Sequence, residues 1–211
     1  MRARNVLLAA SLAVAFVACG LIRKRDNEPV PEVKLVAVLP LDRDEGTEST
    51  LSGEKTARMP LPTDAEKVVT AQVYGVLAES PRWRFVPDLT VEQKLSGIAG
   101  TGSTEERARK LAEVLHAEGA FYGTVSRFRE REGSEYGSRQ PASVAFRLAL
   151  YSTESGRTVW HGEFDQTQEP LTSNLLNWWQ FWRAGPRWFT AAELSRLGVE
   201  KLVSELERHL K

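Results

Sequence analysis

The sequence has a single cysteine, Cys19, and only three histidines among its 211 residues. One cysteine cannot form a disulfide within the chain, which excludes a disulfide-stapled scaffold. No two of the histidines, His116, His161 and His209, lie at the spacing of a metal-ligand pair, so we expect no metal site and no cofactor. The chain also lacks net charge, because 28 Lys and Arg balance 28 Asp and Glu. Without an excess of basic residues, nucleic acid is not an expected partner.

The N-terminus carries a basic start, Met1-Arg-Ala-Arg4, and then an apolar run from Val6 to Ala18. This run is shorter than the roughly 20 apolar residues of a membrane-spanning helix and has the length of a secretory signal. It ends at Phe16-Val-Ala-Cys19, which resembles the lipobox of bacterial lipoproteins. The resemblance implies cleavage before Cys19 and acylation of its thiol, and Gly20 after it favours the outer membrane. The alternatives are a buried thiol in an ordinary signal peptide and an anchor that is never cleaved.

Composition predicts four segments along the chain. Residues 1–18 are the expected lipoprotein signal peptide, and residues 19–32, rich in proline and charge, the acylated tether. Residues 33–166 are expected to form an α/β sheet domain. Residues 167–211 then hold a Trp-rich segment and a C-terminal helix.

The stretch from Glu118 to Phe164 predicts three adjacent strands. Between residues 143 and 151, large apolar residues alternate with smaller or polar ones, namely Val144, Phe146, Leu148 and Leu150. Side chains two apart share one face of a strand, so we expect Leu148 in a core. After turn residues at 152–157, Trp160 and Phe164 continue the alternation. This pattern indicates an antiparallel hairpin, with residues 120–128 as the third strand.

Upstream of these strands, the sequence predicts alternating strands and helices. Val33 to Leu41 is almost unbroken in apolar residues, as in a strand buried on both faces. Capping patterns predict helix starts at Thr63–Glu66, Thr90–Gln93, Ser103–Glu106 and Thr190–Glu193. Pro81 and Gly119 are the expected ends of the first two long helices. Residues 42–62 are expected to form a polar loop. The predicted fold is α/β, a mixed β-sheet of about five strands covered by helices, with a Trp-rich helical C-terminal extension.

Three motifs resemble a group of bacterial envelope modules. They are the strand Val36-Ala-Val-Leu-Pro-Leu41, the strand Gly119-Ala-Phe-Tyr-Gly-Thr-Val125 and the hairpin Leu148–Trp160. The group includes the curli secretion channel subunit, the N-terminal domain of TolB and lipoprotein activators of penicillin-binding proteins. The resemblance covers roughly residues 33–164, and Phe121 stands where the group has Asp. It implies a compact α/β domain that contacts proteins in the envelope without catalysis.

The sequence after the hairpin is rich in tryptophan. Between Ser173 and Phe189, large rings crowd a short helical segment, and the expected partner or membrane contacts are Trp178, Trp179, Phe181, Trp182 and Trp188. Such a segment is a lid on its own chain, a contact with a partner or a second copy, or a contact with lipid. Tryptophan is frequent in binding hot spots, which favours an envelope protein partner or self-association among the contacts outside the chain. The final helix is expected to bury a leucine stripe, made of Leu194, Leu197, Leu202, Leu206 and Leu210.

Two classes of function remain open. The first is a non-catalytic lipoprotein on the periplasmic face of the outer membrane, anchored through Cys19, whose domain binds an envelope protein or itself. The second is an enzyme that acts on envelope glycan or lipid, using the acidic residues of 42–45 or the set His161, Glu163 and Asp165. The sequence contains no Gly-x-Ser-x-Gly elbow and no convergent catalytic set. We therefore predict that the chain is not an enzyme and has no catalytic residue.

Overall fold

The computed structural model describes residues 32–44, 61–98, 102–134, 137–168 and 188–210. In chain order the elements are β1 (Leu35–Val38), β2 (Asp42–Arg43), α1 (Ala65–Glu79), β3 (Arg84–Phe85), α2 (Asp88–Leu95), α3 (Thr104–Val114), β4 (Gly119–Arg129), β5 (Glu132–Ser134), β6 (Gly137–Gln140), β7 (Ser143–Ser152), β8 (Arg157–Thr167) and α4 (Ala191–His209). The predicted succession of strands and helices is confirmed, and β2, β5 and β6 are additional. Residues 169–187, which include most of the predicted Trp-rich segment, lie outside the described residues.

Six of the strands form one mixed sheet. Its order is β3-β1-β4-β7-β8, and β2 pairs with β4 beyond the end of β1. The pairs β1–β3, β1–β4 and β2–β4 are parallel. The pairs β4–β7 and β7–β8 are antiparallel, with Leu148 opposite Gly123 on one side and Gly162 on the other. The predicted mixed α/β sheet is therefore confirmed.

One face of the sheet, called the first face, carries the main core beneath α1 and α4. The apolar side of β7 lies here, and Leu148 is 1% exposed. Each helix adds one apolar stripe, with Val69, Val73 and Leu77 from α1 and Leu194, Leu202 and Leu206 from α4. The predicted burial of Leu148 is thus confirmed, and the C-terminal helix packs directly against the sheet.

The opposite side, called the second face, holds a smaller apolar cluster beneath α2 and α3. Ala37 of β1, Leu39 just after β1, Ala120 of β4 and Leu111 of α3 are buried there. Residues of β1 therefore enter both clusters, as an unbroken apolar run predicts for a strand covered on both sides. Towards β8 the second face becomes polar.

Two of the predicted capping boxes are present, Ser103 with Glu106 before α3 and Thr190 with Glu193 before α4. The prediction at Thr63 is wrong, because α1 begins at Ala65 and no side chain caps it. Glu66, which the box required, instead pairs with Arg43 at 3.0 Å. A tertiary ion pair has replaced the local cap at this helix start.

The short helix α2 begins earlier than the Thr90 pattern predicted. Its first residue is Asp88, directly after Pro87, and no side chain provides a cap. Proline fixes φ near −65°, and Pro87 has φ −54°. An acidic residue in the first turn also favours the start of a helix. Thr90 consequently lies inside α2, and the predicted cap is wrong.

The end of α3 also differs from the prediction. The helix ends at Val114 rather than at Gly119, and His116 adopts a left-handed conformation with φ 51°. The amide of His116 donates to Glu113 O at 3.2 Å and that of Ala117 to Ala112 O at 2.9 Å. These two bonds form a Schellman ending. Gly119 belongs to β4, where a Cβ would lie 2.5 Å from a carbonyl oxygen of β7.

Short strands and one leucine were also mispredicted. Asp42 and Arg43 pair with Thr124 and Val125 as β2, and β5 pairs with β6 inside the charged stretch between β4 and β7. Pairing with a neighbouring strand, not alternation in the sequence, makes these polar segments extended. In α4 the predicted burial of Leu197 is wrong, since it is 41% exposed. The buried positions there repeat every fourth residue, at 194, 198, 202 and 206.

Candidate functional site

The candidate acid/base set lies on the second face of β8. His161, Glu163 and Asp165 are all exposed there, as alternation predicted. Glu163 Oε1 lies 3.5 Å from Arg147 Nη2 on β7, and Asp165 pairs with Arg127 on β4. The two carboxylates therefore lie in cross-strand ion pairs along an open sheet face. This geometry is that of a solvated strand face and does not bring the three groups onto one reacting atom.

The acidic residues after β1 have structural partners. Asp42 accepts hydrogen bonds from Thr104 Oγ1 at 2.7 Å and from Arg107 Nη1 at 2.9 Å, both on α3. Arg43, the next residue, pairs with Glu66 on α1. The predicted polar loop of residues 42–62 is therefore wrong at Asp42 and Arg43, because they form β2 and these contacts hold it between two helices. Residue 45 lies outside the described part of the chain.

The three histidines lie on separate elements. His116 follows α3, His161 is on β8 and His209 is the last residue of α4. Across the described ranges, no group of three or more His, Cys, Asp or Glu side chains is arranged to hold a metal ion.

An open groove lies at the end of the sheet where β1 and β4 begin. Glu118 is one of its lining residues, and its carboxylate accepts hydrogen bonds from the amides of Lys34 at 2.6 Å and Leu35 at 3.1 Å. These backbone bonds hold the pKa of Glu118 below its ordinary value. The groove contains neither His161 nor Asp42, so it does not unite the carboxylates that the catalytic alternative requires. Its lining includes Glu32, Val33, Glu113, His116, Thr153 and Glu154.

The described residues on either side of the tryptophan segment lie close to each other at the sheet. Trp178, Trp179, Phe181 and Trp182 lie outside the described residues. Trp188 is half-buried, and the next residue, Phe189, is buried and donates its amide to Gln168 Oε1 at 2.7 Å. Gln168 in turn donates its amide to Ala142 O at 3.0 Å. The chain thus leaves β8 and returns towards α4 at neighbouring positions.

The entry to the domain and the base of the Trp-rich segment lie at opposite ends of the sheet. Val36 of β1 is paired with Gly119, which lies opposite Ser152 at one end of β7. Ser143 and its partner Thr167 lie at the other end. The 10 residues of β7 separate these ends by about 33 Å. Cys19 lies outside the described residues, and none of the helices described is long and apolar enough to cross a membrane.

Comparison with known proteins gives structural similarities at low identity. No protein-family model matches the chain, and no curated protein matches it. The lipoprotein GNA1162 from Neisseria meningitidis is 16% identical with a TM-score of 0.47, covering 86% of this chain and 100% of that one. A PelC dodecamer from Paraburkholderia phytofirmans is 16% identical with a TM-score of 0.45, covering 85% and 91%. The LpoB C-terminal domain from Escherichia coli is 14% identical with a TM-score of 0.43, covering 67% and 87%.

Proposed function

We propose that this chain is a non-catalytic lipoprotein of the bacterial cell envelope. Acylated Cys19 anchors it to the outer membrane on the periplasmic face, and its α/β domain binds a protein partner or a second copy. The observation that carries the proposal is the N-terminal sequence, in which a basic start and a short apolar run end at Phe16-Val-Ala-Cys19. Acylation with several chains would make this anchoring stable, where one chain alone is marginal.

Contacts of the acidic residues support the non-catalytic part of the proposal. Asp42 bridges β2 to α3, Glu118 binds the backbone at the start of β1, and Glu163 and Asp165 pair with arginines. Each carboxylate therefore has a partner that accounts for it in the fold. An enzyme would need at least one of them held beside a second catalytic group in a pocket.

We assign the partner contact to Trp178, Trp179, Phe181, Trp182 and Trp188. Support comes from where this segment is attached, at Gln168 and Phe189, about one strand length from the entry of the tether. Both ends of the segment therefore join the domain at the end of the sheet remote from Val36. Tryptophan is frequent in binding hot spots, which favours a protein partner or a second copy over the bilayer. Several rigid amphipathic rings also provide contact area at low entropy cost.

The anchor is tested by mass spectrometry of the native N-terminus and by membrane fractionation. We expect a chain that begins at acylated Cys19 and fractionates with the outer membrane. Cys19→Ser should remove the acyl group and release the protein or leave it uncleaved, whereas Ser11→Ala, inside the signal, is the matched control. An unmodified N-terminus at another residue would contradict the anchor. Fractionation with the inner membrane would contradict only the choice of membrane.

The contact is tested by affinity capture with the acylated protein and with its Trp178→Ala/Trp182→Ala variant. We expect loss of a specific captured partner, or of self-association, while the melting temperature changes little. Trp160→Ala is the matched control for loss of a core tryptophan. Trp160 is buried, so this substitution should lower the free energy of unfolding by about 3–5 kcal/mol. If the double variant is destabilised as strongly as the control, the segment is a lid and the contact lies elsewhere. Turnover of envelope glycan or lipid by the purified protein would contradict the non-catalytic assignment.

A further inference from the structure

The outer edge of β8 has a regular set of backbone groups directed away from the sheet. Gln168, just after β8, donates its amide to the carbonyl of Ala142, just before β7, which continues the register of the pair Ser143–Thr167. In an antiparallel ladder such hydrogen-bonded pairs alternate along the strand. The even-numbered residues near 160–168 thus bond to β7, and the amides and carbonyls of His161, Glu163 and Asp165 point outward. Within the described ranges β8 pairs with β7 alone.

We propose that this edge pairs antiparallel with β8 of a second copy about a two-fold axis at Gly162. The alternation of side chains and charges selects this register. It sets His161 of each copy opposite Glu163 of the other, so an imidazole faces a carboxylate at both symmetric positions. A shift of the axis to residue 163 keeps His161 opposite a carboxylate, that of Asp165, but sets Glu163 against itself. A shift to 164 sets Glu163 against Asp165 at both symmetric positions. A shift to 161 leaves Glu163 opposite Val159. Opposite partners stabilise a cross-strand pair, and like charges destabilise it.

The pairing also extends an existing row of charges. Arg147 on β7 already lies beside Glu163 on β8. In the proposed register His161 of the second copy continues that row on the far side of Glu163. The carboxylate is then flanked by a donor on each side. This continuity favours a second copy over an unrelated strand, because both halves of the complementary row come from one sequence.

Helix α4 supplies a second, independent observation. Its inward side meets the sheet at Gly198, next to Phe164, and its side towards α1 carries Arg196, which bonds Glu79. Leu197 lies on the remaining flank, away from α1, and is 41% exposed. Among the strands α4 contacts β7 and β8, so the flank away from α1 lies on the side of the sheet that ends at β8. Two copies joined through β8 would bring their α4 flanks side by side and remove this leucine from water, as interfaces do for exposed apolar residues.

The test is the mass and dissociation constant of the full chain, purified in detergent with any acyl group it carries. Light scattering should give a dimer of the protein component. His161→Glu, which opposes Glu163 at two symmetric positions, should raise the dissociation constant about tenfold. His161→Lys should lower it or leave it unchanged. Gln93→Glu and Gln93→Lys, exposed on α2, are the charge-matched controls and should have no effect.

Hydrogen exchange of the β8 peptide gives a second readout. Its amides should be protected more at high protein concentration, and His161→Glu should remove that extra protection. A protein that is monomeric at all concentrations would overturn the inference. So would a larger ring whose mass stays the same when residue 161 is substituted. The inference goes beyond the proposed Trp-rich contact, so the series is repeated in the Trp178→Ala/Trp182→Ala background. A dimer that persists there supports β8 pairing, and loss of all association there overturns it without affecting the lipid anchor.

Discussion

Replacement of Leu148 by alanine tests the register of the whole sheet. Leu148 is 1% exposed on the first face. The residues opposite it on both neighbouring strands are glycines, Gly123 and Gly162. Neither glycine has a side chain that could move into the space left by a truncated leucine. We therefore expect Leu148→Ala to cost about 3–5 kcal/mol, the upper part of the range for buried leucines.

The measurement is the free energy of unfolding from denaturant titration, supported by the melting temperature. For a domain of this size, the loss corresponds to a fall in melting temperature of roughly 6–20 °C. Leu148→Met, which nearly conserves volume, should cost less than about 1.5 kcal/mol. Leu89→Ala is the exposed control, since Leu89 is 63% exposed on α2, and should stay within about 0.5 kcal/mol.

A cost of Leu148→Ala below about 0.5 kcal/mol would refute the reasoning, because that value is typical of surface positions. Such a result would mean that β7 is displaced by one residue. A slip of one residue turns the opposite set of side chains towards the core. We expect a large loss of unfolding free energy for Leu148→Ala and almost none for Leu89→Ala. This contrast distinguishes an effect of strand register from a protein that any leucine truncation destabilises.

Three further predictions concern close contacts and charge. Gly198→Ala should lower stability by about 1–3 kcal/mol in thermal unfolding, since its Cβ would lie 2.6 Å from the Phe164 ring; an unchanged melting temperature would contradict this packing. Glu207→Ala should cost about 1–3 kcal/mol, because the buried indole N–H of Trp83 loses its acceptor at 2.9 Å, and an unaltered near-ultraviolet spectrum would argue against that bond. The depressed pKa of Glu118 contributes stability above its ordinary pKa of 4.5, and this contribution is lost as pH falls through the lower folded value. Glu118→Gln should flatten the acid limb of the pH–stability curve, and parallel curves would contradict the linkage.

Local pattern was sufficient for the parts of the fold in which one strand face is buried. The alternation from Val144 to Leu150 predicts both the strand and its core side, because a period of two matches the strand geometry. The boxes before α3 and α4 are likewise local, since each joins residues three apart. These features need no knowledge of the rest of the chain.

Features that depend on contacts between residues far apart in the chain could not be predicted from local sequence pattern. Asp42 and Arg43 have the composition of a loop, yet they pair with β4 and bind α3 and α1. The Thr63 pattern fails for the same reason, because Glu66 is engaged by Arg43. Partners far along the chain decide these positions, and propensity gives no signal of them.

The attachment of α4 determines which surfaces remain for a partner. Arg196 binds Glu79 of α1 at 2.6 and 2.7 Å, and the first amide of the helix, at Ala191, donates to Glu130 at 3.0 Å. The helix is thus held near its start and towards α1, with its apolar stripe in the main core. A partner that sought the first face would have to displace this helix and expose the core beneath it. The polar part of the second face, the edge of β8 and the end of the sheet near Gln168 can be reached without that loss. A contact at Gln168 leaves the opposite end of the sheet, where β1 begins, uncovered.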